Sequence, residues 1–276
     1  ELYTYITRHG VHRMVAGDYK RYDKMLPSML LLRAFYIMYC VARHSGNYSA
    51  RALRVMEGLA VDSAYPTVLI DSVLVRFYGS LPSGHPLTVV INSICNSLLA
   101  RIAYGQYYDI GTFSLNVSYL SYGDDNIYSS CVDFTHCKMS EALKKFGVIY
   151  TTADKTDKKV NFVNISDCDF LKRQFIVKGG RVYAPLSMES VVRAMSLISD
   201  TDLPDIEHAH EVMMSMQREM WEHGREEYVR FYNFCKKVRQ RYGIPGENIR
   251  YIEMSRKMEK AYAKTRIVPM PPVQDN

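Results

Sequence analysis

The chain has 276 residues, 47% hydrophobic and 23% charged, with a formal net charge of +6. That balance excludes a largely disordered chain and allows a sizeable core, in one large domain or two smaller ones. The charge is uneven: residues 236–266 hold ten Lys or Arg against three Glu, a local +7, which leaves the rest at −1. In chain order, "ELYTYITRHG" opens without Met on a strand-like run, which suggests an excerpt of something longer. A β-leaning run over 14–19 leads through polar residues to a helix over about 27–44, with Pro27 in its first turn and Gly46 at its end. The most apolar stretch, "MLLLRAFYIMYCVA", lies in that helix. It is short for a membrane span and contains Arg33, so it reads as buried.

A second helix is expected over about 49–61, then paired strands at 66–70 and 73–79 with Asp71-Ser72 at the turn. From Pro86 to about Tyr107 the apolar stripe Leu87, Ile91, Ile94, Leu98, Ile102 has helical spacing. "SYLSYGDDNIYSS" reads as a strand–turn–strand. A helix over about 135–146 follows, with Met139, Leu143 and Phe146 inward and Gly147 as its cap. "VIYTT" is strand-like, and Gly179-Gly180 makes a hairpin of "FLKRQFIVKGGRVYAPL". Beyond Pro185 only helices are expected, over 187–199, 206–223, 226–242 and 251–264, before an unstructured tail from about 269. Strands and helices up to 185 followed by helices alone imply an α+β fold, an antiparallel sheet with packed helices, and a helical appendage.

Six cysteines (Cys40, Cys95, Cys131, Cys137, Cys168, Cys235) show no C-x-x-C spacing and read as reduced thiols. The basic section suits nucleic-acid phosphates and equally suits a solvated helix face. The group Met213, Met214, Met216, Met220 and Trp221 reads as helix packing.

The chemistry centres on Asp124 and Asp125. Asp and Asn are common turn residues, so the pair alone also fits simple turn geometry. Two carboxylates at the tip of a rigid hairpin are, however, what a divalent cation needs, and Mg²⁺ prefers hard oxygen ligands shared with substrate phosphates. A second acidic group, "GDYKRYD", places Asp18 at a strand end with Asp23 five residues on. In "SGHPLTVVINSICN", Ser83-Gly84 form a loop that a ligand can approach closely, and Thr88 and Asn92 lie one helical turn apart. They are either helix-surface polars or a reader of a sugar hydroxyl.

In this order the segments resemble viral RNA-dependent RNA polymerases of the picornavirus-like group, dicistroviruses and their relatives included, over most of residues 12–185. "GDYKRYD" is similar to motif A, "SGHPLTVVINSICN" to motif B, "YGDDN" to motif C, "FGVIYTTADKTDK" to motif D and "FLKR" to motif E. The resemblance implies a polymerase palm over 1–185, with part of the fingers at about 26–80, and an all-helical thumb over 186–276. It implies template-directed RNA synthesis with two Mg²⁺ ions, Mn²⁺ substituting, held by Asp18 and Asp124 with Asp125 assisting. Tyr19 and Lys20 would lie near the triphosphate. Asp23 and Asn92 would read the ribose 2′-hydroxyl, assisted by Thr88 and the loop of Ser83 and Gly84; Asn126 is a weaker candidate there. Lys155 matches the motif D lysine that serves as general acid, although it also fits a plain surface loop. Lys172 and Arg173 would support the primer strand, or be ordinary strand-edge charge. RNA template and primer, nucleoside triphosphates and other viral replication proteins are the implied partners, at membrane-associated complexes in the host cytoplasm.

Two positions depart from the pattern. Gly17 precedes the first aspartate where many relatives carry a larger residue, and Val89 follows Thr88 where many carry Ser. Only 17 residues precede Asp18, so most of the fingers are expected to be missing and the excerpt inactive alone. The alternatives are an RNA-binding fragment with an incomplete site, or a reverse transcriptase-like enzyme, against which the motif B asparagine Asn92 argues.

Overall fold

The computed structural model describes residues 1–81, 84–152, 160–197 and 201–263. Two compact units emerge, Thr4–Leu171 and Lys172–Asn276, the latter with Glu1–Tyr3. The division falls where Leu171 and Lys172 both adopt positive φ, 56° and 61°. The second hairpin therefore belongs with the helices, ahead of the change of pattern at Pro185.

In chain order α1 (Leu2–Ile6) spans the division at Thr4, and the first unit continues with β1 (Met14–Tyr19), α2 (Tyr22–Met25), α3 (Ser28–Ser45), α4 (Ala50–Ala64), β2 (Thr67–Ile70), β3 (Val73–Arg76) and α5 (Thr88–Tyr104). It continues with α6 (Phe113–Asn116), β4 (Val117–Tyr122), β5 (Asp125–Ser130), α7 (His136–Lys144) and β6 (Tyr150–Thr152). Strands β4, β5, β1 and β6 form, in that order, one antiparallel sheet. One sheet face carries Val15, Tyr19, Tyr119, Tyr128 and Tyr150 into a core shared with Ile91, Cys95 and Leu99 of α5 and Met139 and Leu143 of α7. Local signals set the helix ends: the hydroxyls of Ser49 and Thr135 accept the Ala52 and Lys138 amides, and Gly46 closes α3.

Four expectations fail here. The apolar run in α3 is not buried throughout: Leu30, Leu31, Ala34, Phe35 and Ala42 are buried, whereas Met29, Tyr36, Ile37 and Val41 are exposed, because only one face of the helix packs on the core. Residues 2–6 are helical, not extended: Ile6 is fully buried and the Tyr5 hydroxyl donates to the Tyr119 carbonyl, so packing overrides β propensity. The buried face of α5 runs through Ile91, Asn92, Cys95, Asn96 and Leu99, whereas Ile102 is 37% exposed. Phe146 is exposed, because α7 stops at Lys144 before the chain turns at Gly147.

The second unit contains a two-stranded hairpin, β7 (Ile176–Lys178) and β8 (Arg181–Tyr183), then α8 (Met188–Ser196), α9 (Asp205–Glu222), α10 (Arg225–Tyr242) and α11 (Tyr251–Ala263). Its core gathers Val191, Met220, Trp221, Tyr228 and Met254, so the methionine-rich stretch packs as expected. The expected tail from about 269 lies outside the described residues. Among the described residues no helix is long and apolar enough to cross a membrane.

Candidate active site

Strand pairing brings the aspartates of two distant segments to one end of the sheet. β1 runs antiparallel to β5 with Gly17 opposite Asn126, so the next step of that ladder sets Asp18 across from Asp125. Residues opposite one another share a sheet face. Asp125 pairs with Tyr122, which leaves Gly123 and Asp124 as a two-residue turn. Gly123, at φ 63°, supplies the positive φ that such a turn requires at its first position. Asp18 is buried, Asp125 half-buried and Asp124 exposed.

Asp18 Oδ1 accepts the Tyr19 amide at 2.7 Å, and among the described residues no three His, Cys, Asp or Glu side chains already converge on one point. The donor set is carboxylate oxygen throughout, the hard-ligand chemistry that suits Mg²⁺ or Mn²⁺, and a cation would offset the repulsion between the acids. On chemistry and strand placement, the residues fit the ion.

Gly17 has a steric reason to be glycine. A Cβ there would lie 2.0 Å from the Tyr150 hydroxyl and 2.1 Å from its Cζ. Tyr150 uses this space to donate to Asn126 Oδ1 at 2.7 Å. Asn126, 1% exposed, is thus committed to the core beneath the turn.

Of the expected sugar-reading residues, Asn92 is tied through its backbone to the residue before Asp23. Asp23 lies in α2, and the hydroxyl of its neighbour Tyr22 donates to the Asn92 carbonyl at 2.8 Å. Burial above all, and then the nearby charges including Asp124, hold the Tyr22 hydroxyl well above its ordinary pKa, so it stays a donor. Asn92 is 7% exposed, and its Oδ1 finds no donor among the described residues. Thr88 Oγ1 donates to the His85 carbonyl at 2.7 Å, and Gly84 is exposed. The amides of Tyr19 and Lys20 already have acceptors, Asp18 Oδ1 and the Ile149 carbonyl at 3.0 Å. Ser83 and Lys155 lie outside the described residues.

Lys172 and Arg173 open the second unit. The Lys172 carbonyl accepts the Ser187 amide at 2.7 Å. Arg173 donates to both carboxylate oxygens of Glu219, at 2.8 and 2.9 Å, and to the Ala184 carbonyl. Its guanidinium fastens the hairpin unit to α9. Arg239 of the basic section is likewise internal, 7% exposed and bonded to Asn248, His210 and Pro245.

The residue that inspection of the sequence passed over is Asn96. It is fully buried and its amide contacts the aspartate turn directly, with Ser93 beside it. Polar residues at 88, 92 and 96, repeating at a step of four along the helix, were the available signal.

The profile of the family described as viral RNA-dependent RNA polymerase matches residues 1–239. The RNA1 polyprotein of Broad bean wilt virus 2 is 30% identical over 80% of this chain and 12% of the polyprotein. The replicase polyprotein of Cricket paralysis virus is 27% identical over 81% of this chain and 14% of its own length. The genome polyprotein of Deformed wing virus is 30% identical over 63% of this chain and 6% of its own length. The chain thus spans a small fraction of the polyproteins it matches. By the profile match and the ordered motifs around the paired strands, the chain belongs to the viral RNA-dependent RNA polymerase family.

Proposed function

We propose that this chain is the palm, part of the fingers and the thumb of a polymerase that copies RNA by template-directed nucleotidyl transfer during replication of a positive-strand RNA virus genome. The observation that supports the proposal is the pairing of β1 with β5, which puts Asp18 and the Asp124–Asp125 turn at the same end of the sheet. Asp18 and Asp124, with Asp125 assisting, would hold two Mg²⁺ or Mn²⁺ ions, which supply Lewis acidity at the primer 3′-hydroxyl and at the triphosphate when bound.

The rest falls to the chain's own side chains. Asn92 and Asp23 orient the ribose, and the Asn92 Oδ1 acceptor without a donor is matched by a 2′-hydroxyl. A deoxy sugar leaves that acceptor unpaired, which is how such a site discriminates. Thr88, with Ser83 and Gly84, assists that recognition, and Tyr19 and Lys20 border the triphosphate. Lys155 serves as proton donor to the departing pyrophosphate. Lys172 faces the primer, with Arg173 as its buttress through Glu219. The exposed lysines and arginines of α10 and α11 grip the RNA backbone in a salt-sensitive way. Other viral replication proteins at cytoplasmic membranes complete the proposed setting.

The test is primer extension by the longer polymerase that contains this chain, comparing ribo- and deoxyribonucleotides. Asp124→Asn should abolish extension. Asn92→Ala should narrow the preference for ribonucleotides by about tenfold or more. Retained activity in Asp124→Asn would favour an RNA-binding module, and a parent that prefers deoxynucleotides would favour the reverse transcriptase alternative.

A further inference from the structure

The turn that carries Asp124 is held from outside the sheet by side chains of α5, above all by Asn96. Asn96 of α5, with no exposed surface, donates from Nδ2 to the carbonyls of Gly123 at 3.0 Å, Asp124 at 2.9 Å and Asp125 at 3.3 Å. Its Oδ1 accepts from the hydroxyls of Tyr19, at 3.0 Å, and Tyr119. Nearby on the same helix, Ser93 Oγ accepts the Gly123 amide at 2.8 Å, and the Ser93 carbonyl accepts Ser121 Oγ at 3.0 Å.

Backbone groups at a hairpin tip ordinarily turn to water. Here three successive carbonyls face one amide, whose two protons are shared among them. Only a primary amide combines two such donors with an acceptor for two hydroxyls, and Gln, one methylene longer, would push into the turn. Tyr19 directly follows Asp18, so this single group touches the backbone of Asp124 and Asp125 and the neighbour of Asp18.

We propose that Asn96, seconded by Ser93, is a positioning residue that fixes the Asp124–Asp125 turn relative to Asp18 and thereby sets the cation affinity of the site. The proposal rests on the assignment of these aspartates as cation ligands. It also makes α5 a mechanical link: Asn92, one turn before Asn96, lies on the same rigid helix, so a sugar seated at Asn92 and the carboxylates share one support.

The experiment is a Mn²⁺ titration of the 276-residue chain, following free Mn²⁺ by electron paramagnetic resonance, alongside thermal unfolding of each variant. Asn96→Leu has similar shape but neither donors nor acceptor, and should weaken Mn²⁺ binding tenfold or more. Ser93→Ala, a milder change that serves if Asn96→Leu does not fold, should weaken it about threefold. Tyr104→Phe is the control. It removes part-buried hydrogen bonds to Thr112 and Asn116 in the same unit, away from the turn. It should lower the melting temperature and leave Mn²⁺ affinity within twofold. Asp124→Asn tests the underlying assignment. If Asp124→Asn weakens binding while Asn96→Leu and Ser93→Ala do not, or if Tyr104→Phe weakens it as much as they do, the positioning role is refuted and the ligand assignment stands. If Asp124→Asn binds like wild type, both fall.

Discussion

Replacing Gly17 by Ala inserts one methyl group where the Tyr150 ring ends. The added Cβ would meet Oη at 2.0 Å, Cζ at 2.1 Å and Cε2 at 2.6 Å, all far inside contact distance. Tyr150 has little room to retreat. It is 3% exposed, its ring lies 5.1 Å from that of Tyr19 and 4.9 Å from that of His136, and its hydroxyl is tied to Asn126. Overpacking of this kind costs about 1–3 kcal/mol, and losing the buried hydrogen bond to Asn126 adds about 1 kcal/mol or more. A total of about 3 kcal/mol lowers the melting temperature of the Thr4–Leu171 unit by roughly 6–12 °C. Urea unfolding followed by circular dichroism measures the loss, and a double-mutant cycle assigns it to the pair. Because Cζ is almost as close as the hydroxyl, Tyr150→Phe should fail to rescue Gly17→Ala, whereas Tyr150→Leu should recover most of the clash energy. A Gly17→Ala protein within about 0.5 kcal/mol of wild type, or full rescue by Phe, would refute this account.

Three further outcomes are expected. Burial pushes the thiols of Cys95 and Cys168 up to about 12 and that of Cys235 to about 11, so all three stay protonated at pH 8; a thiol-labelling time course should mark exposed Cys40 and Cys131 rapidly and these three only on unfolding. Burial first, then the charges of Arg8 and Arg13, lower the His9 pKa from 6.5, so the unfolded chain takes up a proton that the folded one resists. Stability is then full above that value and lost as pH falls below it, and His9→Gln should flatten this slope in denaturation curves taken between about pH 7 and 5. Arg173→Gln breaks the two-pronged contact with Glu219, whose side chains are 33% and 25% exposed, and should cost the helical unit about 1–2 kcal/mol in thermal unfolding even without RNA.

Much of the fold was legible because its punctuation is local. Ser49, Thr135 and Ser187 cap helices through their own hydroxyls. Asp71-Ser72 turns the β2–β3 hairpin at φ 44° and 70°. Asp18 and the Asp124–Asp125 pair were legible as candidate ligands because their residue types and order carry the signal. What stayed hidden depends on contacts that spacing does not encode. The Leu2–Ile6 segment alternates like a strand, yet the burial of Ile6 decides its form. On α5 a count of apolar residues favours a face through Ile102, but the hairpin's carbonyls reward the amide of Asn96, which is buried against them. The glycine at 17 looked like a departure until Tyr150, more than a hundred residues away, was seen in the space it leaves.

Trp221 is the only tryptophan in the chain, and it is 5% exposed in the core of the helical unit, its indole N–H donating to Ser255 at 2.9 Å. The sheet unit contains none; its aromatic interior is built from tyrosine and phenylalanine. Fluorescence excited selectively at the indole is therefore blind to the Thr4–Leu171 unit and reports melting of the Lys172–Asn276 unit alone. Near-ultraviolet dichroism of the packed tyrosines samples the sheet as well. A denaturation series read in both channels would show whether the two units come apart together or in sequence, with no label added to either.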